Sequence, residues 1–313
     1  MRIDQILLLL LIGAATPAAG APTCRIDPGL VRPWRDFHRL RQTRPPYALE
    51  YRGCGKSLVY VAAAHSNEPE SATFRLVRAV FAQRPIDFAI VEGFPDGFGT
   101  SPVRMIEYAR QTQDTREDGE DLLAVRLAVA SGAGFSGGEP MDADVLRAVT
   151  SSGMSAADLF GFYVLRQIEQ WEREGRISGP GDPGLAKQIE LVAAEFETNT
   201  GVPVADLSAV ATLDGWMSWY RAANGVGYEQ GYRHEDAYPS GANTRATNRM
   251  SDEVNDARDR YVISVIARAL RTHDTVLVVY GASHNVVETP ALEAAYGAPK
   301  RLNEHSSRSA RSR

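Results

Sequence analysis

The sequence predicts an α/β fold with a mixed, mainly parallel central sheet that is flanked by helices. Three apolar runs, residues 58–64, 88–91 and 275–280, have the unbroken pattern of strands that are covered on both faces. Between the first two runs, residues 74–81 carry apolar side chains at helical spacing, and Pro85 ends this helix. A right-handed crossover makes the two strands of such a βαβ unit parallel, so their carboxyl ends meet at one edge of the sheet.

The middle of the chain has a mostly helical pattern, which predicts a helical insertion over about residues 102–225. Residues 155–173 carry apolar side chains along one side, and the segment 175–184, with its glycines and prolines, ends that helix. Residues 225–244 predict a long irregular loop, of a length that is typical of lids and binding loops or of disorder. A helix over about residues 251–272 then leads into the last strand.

The two ends of the chain are predicted to lie outside the folded domain. Residues 1–21 have the apolar run and cleavage site of a signal peptide, with a retained membrane anchor as the alternative. Residues 25–50 are rich in Arg and Pro, which indicates an irregular lead-in. Residues 300–313 are polar without periodicity, which predicts a disordered tail. Residues 22–299 would then form a single α/β domain of a periplasmic or secreted protein, with no stable membrane anchor after cleavage.

The cysteines and the net charge indicate the redox compartment of the protein and the kind of molecule that it binds. Cys24 and Cys54 are the only cysteines, and in an oxidising compartment such a pair predicts one disulfide, with two unpaired thiols as the alternative. The net charge of −5 is modest and spread along the chain, which disfavours nucleic acid as a partner. A small molecule or a peptide is the expected substrate.

Three polar residues, His65, Glu92 and His284, each directly follow a predicted strand. Ligands of open α/β sheets bind beyond the carboxyl ends of the strands, so we expect these side chains to line one crevice. Small residues precede both histidines, which lets other groups approach closely. Imidazole titrates near neutrality and also binds metals, so the three residues are candidates either for general acid/base catalysis or for a divalent metal site.

Arg258 lies in the apolar stripe of the predicted helix over residues 251–272, in line with Val254 and Tyr261. A guanidinium that points at the core needs a carboxylate or an anionic ligand, because an unpaired buried charge is very costly. We therefore expect Arg258 to pair with Glu92 or to stabilise a developing oxyanion. The alternative is an arginine that extends out to solvent at the helix end.

Three further residues are candidates for contacts with substrate. Glu68 follows the first histidine by three positions and would lie near the first helical turn, where the helix dipole also explains its placement. Glu139 follows two glycines in a predicted sharp turn, which a plain surface turn explains as well. His234 lies in the predicted long loop and could contact substrate or a metal, although acidic and histidine clusters on loops are usually solvated.

The ordered set of these residues resembles a superfamily that comprises the TraB, Tiki, erythromycin-esterase and ChaN-like proteins. Residues 62–65 and 281–284 match its two small-x-x-His motifs, Glu92 matches the acidic residue after the second strand, and Arg258 matches the arginine of the penultimate helix. Ala62 stands where a glycine is usual, and the Gly-Glu pair that precedes the histidine in erythromycin esterases is missing. The resemblance implies a mixed α/β fold.

The activities that the resemblance implies differ between its branches. Tiki-like proteins are metal-dependent peptidases, the erythromycin esterases hydrolyse esters without a metal, and ChaN-like members resemble haem or iron uptake proteins. The leading hypothesis is an exported hydrolase that cleaves a peptide or ester bond. In it His65, Glu92 and His284 activate water, directly or through a divalent metal, and Arg258 stabilises the oxyanion.

Two other hypotheses stay open. One is an uptake protein that binds haem or a metal through the histidines, without turnover. The other is a sheet whose strand-end histidines satisfy backbone groups, with the tyrosine-rich loop as an interaction surface.

Overall fold

The computed structural model describes residues 24–96, 102–115, 118–240 and 245–302. The predicted signal peptide, residues 1–21, lies outside the described residues. The strands are β1 (Tyr47–Gly53), β2 (Lys56–Ala63), β3 (Phe88–Pro95), β4 (Gly134–Glu139), β5 (Thr275–Gly281) and β6 (Lys300–Leu302). The α-helices are α1 (Ala72–Gln83), α2 (Pro102–Gln111), α3 (Glu120–Ser131), α4 (Asp142–Ser151), α5 (Ala156–Glu174), α6 (Gly184–Thr200), α7 (Leu213–Asn224), α8 (Tyr228–Gly231), α9 (Ala246–Thr272) and α10 (Ala282–Tyr296). Short 3-10 helices lie at Pro28–Leu30, Trp34–Arg39, Val204–Leu207 and His234–Ala237.

The strands form one mixed sheet in the order β4-β3-β5-β2-β1-β6. Strands β4, β3, β5 and β2 pair in parallel, and β1 and β6 extend the sheet in antiparallel pairing. The predicted α/β class, with a mixed, mainly parallel sheet flanked by helices, is confirmed. The carboxyl ends of the four parallel strands lie along one edge of the sheet. His65, Glu92 and His284 lie at this edge.

Helices cover both faces of the sheet. Successive side chains of the central strands point to opposite faces and enter two different buried clusters. Tyr60 and Val278 pack with α9 and α10 on one face. Val61 and Val279 pack with α1 and α3 on the other. A third cluster, centred on Trp216, joins α5, α6 and α7. The helix after β5 thus begins on a strand that is rigidly held from both sides.

The middle of the chain is mostly helical, as predicted, but it is not purely an insertion of helices. Residues 102–225 contribute α2 to α7, and they also contain β4, which pairs with β3 in the sheet. The glycines of β4 weaken the strand pattern in the sequence. Within the predicted loop over residues 225–244, the described part forms α8 and the 3-10 helix His234–Ala237.

Two segments that were predicted to be irregular are strands. β1 occupies the end of the predicted lead-in over residues 25–50, where it pairs with β2 in a hairpin. The prediction of a disordered tail from residue 300 is wrong at its start, because Lys300–Leu302 forms β6 against β1. Such a short, charged strand at a sheet edge gives little sequence signal. Residues 303–313 lie outside the described residues.

A disulfide joins Cys24 to Cys54, with 6.2 Å between their Cα atoms, as the sequence predicted. Cys54 and Gly55 form the two-residue turn between β1 and β2, and both have positive φ, 54° and 74°. These values are those of the tight turns that suit the twist of a β-hairpin. The bridge therefore holds the arm before β1 to the hairpin. No helix among the described residues is long and apolar enough to cross a membrane.

Candidate functional site

A cavity of about 590 Å³ opens at the carboxyl edge of the parallel strands. Its lining includes His65, Glu92, Arg258 and His284, and also His234 from the loop region. The structure therefore brings together the four residues that the sequence marked as catalytic candidates. Glu68 is exposed and is not part of this lining.

Glu92 lies between the two histidines, and each of its oxygens faces one of them. Oε1 is 3.5 Å from Nε2 of His284 and 3.0 Å from Nη2 of Arg258. Oε2 is 3.7 Å from Nε2 of His65 and accepts the Gly281 N–H at 2.6 Å. The side chain belongs to β3, at the point where the pairing with β4 becomes irregular. This irregularity turns the end of the strand so that a carboxylate lies at the centre of the site.

His65 is held from behind by Glu120, the first residue of α3. Nδ1 of His65 is 2.7 Å from Oε1 of Glu120, and the Ser66 N–H donates to Oε2 at 3.2 Å. Gly281 is needed on the other side, because a Cβ there would lie 2.8 Å from Nε2 of His65 and 3.2 Å from the Glu92 carboxylate. The small residue of the second motif therefore makes room for the histidine of the first.

His284 is held in the same way by Asp259 of α9. Nδ1 of His284 is 2.6 Å from Oδ1 of Asp259, whose other oxygen accepts the indole N–H of Trp34. The ring packs edge-on against Trp34 and Tyr280, with centroids 5.0 and 5.2 Å away. His284 is buried in the first turn of α10, whereas the side chain of His65 is open to the cavity. Both histidines thus have a carboxylate behind Nδ1 and face Glu92 with Nε2.

Arg258 is buried and bridges Glu92 to Glu139 at the end of β4. Its Nε and Nη2 donate to the two oxygens of Glu139 at 2.7 and 2.6 Å, and Tyr280 donates its hydroxyl to the same carboxylate at 2.6 Å. The pairing with Glu92 is one of the two roles expected from the sequence. Nη1 donates to Asn255 at 2.9 Å.

The other two predicted contacts with substrate have different surroundings. Glu139 is buried and forms a two-pronged ion pair with Arg258, so it is not part of an exposed turn. Its carboxylate lines the cavity next to the one described above. His234 contacts Oε2 of Glu172 at 2.8 Å through Nε2 while it lines the first cavity.

The charges of the site shift the pKa values of its members in opposite directions. Glu92, and then Glu120, raise the pKa of His65 to about 9. Burial would raise the pKa of Glu92, but His65, His284 and Arg258 together hold it at about 2. Burial and the neighbouring Glu120 raise the pKa of Asp121, the second residue of α3, to about 7. At neutral pH the centre of the site is therefore an imidazolium beside a carboxylate.

The raised pKa of His65 predicts a change of stability with pH. The folded chain binds this proton more tightly than the unfolded chain does, because the pKa rises from 6.5 to about 9 on folding. The resulting stabilisation is fully present below about pH 6.5 and is lost as the pH rises through about 9. Across that window, we expect the urea midpoint of the parent to fall more than that of His65→Gln. Parallel curves for the two proteins would contradict this prediction.

One buried group in the described part of the chain could hold a metal ion. It consists of Asp259, His284 and Glu288, with one ligand atom of each within 4.8 Å of the others. Glu288 is fully buried, and neither of its oxygens makes a hydrogen bond of ordinary geometry among the described residues. Burial and the nearby Asp259 raise the pKa of Glu288 well above its ordinary value. The carboxyl group therefore requires a proton or a cation.

The metal-ligand set that the sequence predicted fits a divalent ion less well. His65, Glu92 and His284 do not form a group of this closeness among the described residues. In addition, Glu92 already accepts from Arg258 and from the Gly281 N–H. A divalent cation at Glu92 would lie against the positive charge of Arg258, which opposes its binding.

Sequence reasoning missed the residues that hold the histidines. Asp259 shares the buried face of α9 with Val262 and Ile266, so a second charged residue in the apolar stripe was a usable signal. Glu120 begins a helix after Gly119, a position that the helix dipole explains equally well. Trp34 lies in the segment that was predicted to be an irregular lead-in, and nothing in the sequence connects it to Asp259.

The site consists of two histidines with a carboxylate behind each, one carboxylate that faces both, and one arginine that links two acidic side chains. No protein-family model, no curated protein and no solved structure matches this chain.

Proposed function

We propose that this protein is a hydrolase that cleaves a peptide or ester bond by acid/base catalysis at His65, Glu92 and His284. The observation that carries the proposal is the paired arrangement of the histidines. Each Nδ1 contacts a carboxylate, 2.7 Å away at His65 and 2.6 Å at His284, and each Nε2 faces Glu92. Carboxylates in this position fix the orientation of an imidazole and leave its other nitrogen available for chemistry.

His284 is suited to the role of general base. When its ring is neutral, the contact with Asp259 keeps the proton on Nδ1, so the lone pair of Nε2 points toward the cavity. In the proposed reaction, Nε2 accepts a proton from a water molecule while the water oxygen attacks the carbonyl carbon. Asp259 stabilises the imidazolium that results, as the buried carboxylate does in a serine protease triad.

His65 is suited to the role of general acid. Its pKa of about 9 makes it a cation at neutral pH, and its side chain is open to the cavity. Nε2–H of His65 donates its proton to the leaving amine or alkoxide as the scissile bond breaks. The cycle closes when solvent carries the proton from His284 back to His65.

Glu92 and Arg258 complete the proposed site. Glu92 stays ionised, with its pKa at about 2, and its negative charge maintains the cationic form of His65. Arg258 holds Glu92 through Nη2 and has a second N–H on Nη1 beside the one that Asn255 accepts. We propose that this N–H stabilises the developing oxyanion.

The resemblance to the TraB, Tiki, erythromycin-esterase and ChaN-like superfamily supports hydrolysis, because both histidines of its motifs line one cavity together with Glu92 and Arg258. We propose membership in that superfamily on this ground. We also propose that the protein is exported to the periplasm or the medium. The Cys24–Cys54 disulfide supports this, since such bonds persist in oxidising compartments.

Metal binding is the second candidate function, and the buried group of Asp259, His284 and Glu288 favours it. In this version the protein is a metal or haem uptake protein, or its hydrolysis depends on a divalent metal. A structural ion at that group would replace the proton on Glu288.

Elemental analysis together with a hydrolysis assay tests both candidates. The full chain is purified without added metal, and its turnover of p-nitrophenyl esters and fluorogenic peptides is measured with and without excess EDTA. We expect less than stoichiometric metal and turnover that EDTA does not change. Stoichiometric metal that is lost in His284→Ala, or turnover that EDTA abolishes, would instead select the metal-dependent candidate. A Soret band on addition of haemin, lost on mutation of a histidine, would select haem uptake.

A further inference from the structure

Arg166 of α5 lies in the wall between the catalytic cavity and a second cavity of about 680 Å³. Arg258 is the other residue that lines both cavities. The second cavity extends along α5 and α6 and is bounded by the end of β3 and the start of α4. A ligand that spans both cavities therefore passes the two arginines.

Arg166 has no hydrogen bond or ion pair within the described part of the chain, unlike Arg258 and Arg176, which line the same cavity. Arg258 is committed to Glu139 and Glu92, and Arg176 pairs with Glu174 at 2.6 Å. The side chain of Arg166 is exposed to the cavities, and the surrounding protein together with the positive charge of Arg258 lowers its pKa. A guanidinium in such a place gains from a bound anion, since the anion offsets both effects.

Most acidic side chains near Arg166 already form ion pairs with other residues. In the first cavity, Glu169 pairs with Arg173 at 3.0 Å and accepts from the Tyr238 hydroxyl at 2.9 Å. In the second cavity, Asp142 accepts from Tyr163 and Asn199, and neither Asp142 nor Glu195 has a cationic partner among the described residues. This remaining negative charge disfavours a dianion such as phosphate and leaves a single carboxylate as the better match.

We infer that Arg166 binds a carboxylate of the substrate at the junction of the two cavities. The planar guanidinium offers two parallel N–H groups to the two oxygens of a carboxylate. The bond to be cleaved would then lie on the side of His65 and His284, and the rest of the ligand would extend into the second cavity. The effect of Arg166 on the choice of substrate rests on the proposed hydrolase function. The binding of a carboxylate at Arg166 can be measured without turnover.

The binding test uses N-acetylglycine as the probe and N-acetylglycinamide as its uncharged counterpart. Both are titrated into the full chain, and the chemical shifts of the arginine Nε–Hε groups are followed by NMR. We expect saturable binding of the acid that is about tenfold or more tighter than that of the amide, the size of effect of a charge-assisted hydrogen bond. Arg166→Gln should weaken the binding of the acid by a similar factor. Arg104→Gln, which changes an exposed arginine of the second cavity alone, is the matched control and should bind the acid as the parent does.

Three results would overturn the inference. They are equal binding of acid and amide, unchanged binding in Arg166→Gln, and an equal loss in Arg166→Gln and Arg104→Gln. Tighter binding of inorganic phosphate than of the acid would overturn the choice of a carboxylate. A circular dichroism spectrum like that of the parent excludes misfolding of either variant as the cause.

The same variants separate this inference from the proposed function. If the parent binds the acid through Arg166 but hydrolyses nothing, the hydrolase proposal fails and the carboxylate site stands. If the parent hydrolyses peptides with a free carboxylate and their amides at equal kcat/KM, and Arg166→Gln leaves both unchanged, the carboxylate site fails alone. With both correct, Arg166→Gln should raise KM for the acid about tenfold or more with little change in kcat, because it removes binding that is equal in the ground state and transition state.

Discussion

Replacement of His65 or His284 with alanine is expected to lower kcat/KM for the hydrolysed substrate by about 10²–10⁴-fold, the usual contribution of a general acid or base. The reason is that the two imidazoles contribute different protons to one reaction. In the proposed reaction, His284 takes the proton of water, and His65, whose pKa is about 9, gives a proton to the leaving group. The double variant should lose little more than the stronger single variant, because residues that act as a unit are not additive. Steady-state kinetics on the substrate found in the ester and peptide panel measures the effect.

His234→Ala is the matched control for this prediction. His234 lines the same cavity, but its Nε2 contacts Glu172 at 2.8 Å, away from Glu92. Its loss should therefore change kcat/KM only a few-fold. His65→Ala is the more decisive of the two catalytic variants, since this side chain is open to the cavity and its removal leaves the core packing intact. Alanine variants at both positions that turn over as fast as the parent would leave the histidines with a structural role only.

The sequence predicted those site residues whose positions are marked by the same apolar patterns that predict the strands and helices. His65 and His284 follow apolar runs that become β2 and β5, and parallel neighbours in a sheet bring their carboxyl ends together. Glu92 was found by the same rule, although it lies inside β3 and not after it. Arg258 was marked by its place in an apolar stripe, and its buried ion pair with Glu139 explains that place.

The parts of the site that the sequence did not predict depend on contacts between elements that are far apart in the chain. Glu120 meets His65 across 55 positions, and Asp259 meets Trp34 across 225. No local periodicity encodes such a pairing. Arg166 was missed because on α5 it has the pattern of a solvated residue, and only the packing of α5 against the sheet edge places it in a cavity wall. Strand β1 and the edge strand β6 were missed because their partly charged sequences lack the unbroken apolar run of a central strand.

Arg258→Met is expected to lower the free energy of unfolding by about 3–5 kcal/mol, the cost of breaking a buried ion pair by removing one partner. The variant keeps most of the side-chain volume but leaves Glu139 and Glu92 without their shared cation. Urea unfolding at neutral pH measures the loss. Arg260→Met on the same helix is the matched control. Its guanidinium is exposed and 3.8 Å from Asp256, so we expect a change below about 1 kcal/mol.

The pH dependence distinguishes loss of charge pairing from loss of packing in Arg258→Met. In the parent, the depressed pKa of Glu92 contributes stability above the ordinary carboxyl pKa of 4.5, and this is lost as the pH falls toward about 2. The variant lacks the part of that contribution that comes from Arg258, which also lowers the pKa of Glu139, so the gap in stability between the two proteins should narrow as the pH falls. A gap that stays constant with pH would assign the loss to packing. Activity data on Arg258 variants can be interpreted as oxyanion stabilisation only at a pH and temperature where this measurement shows the variant to be folded.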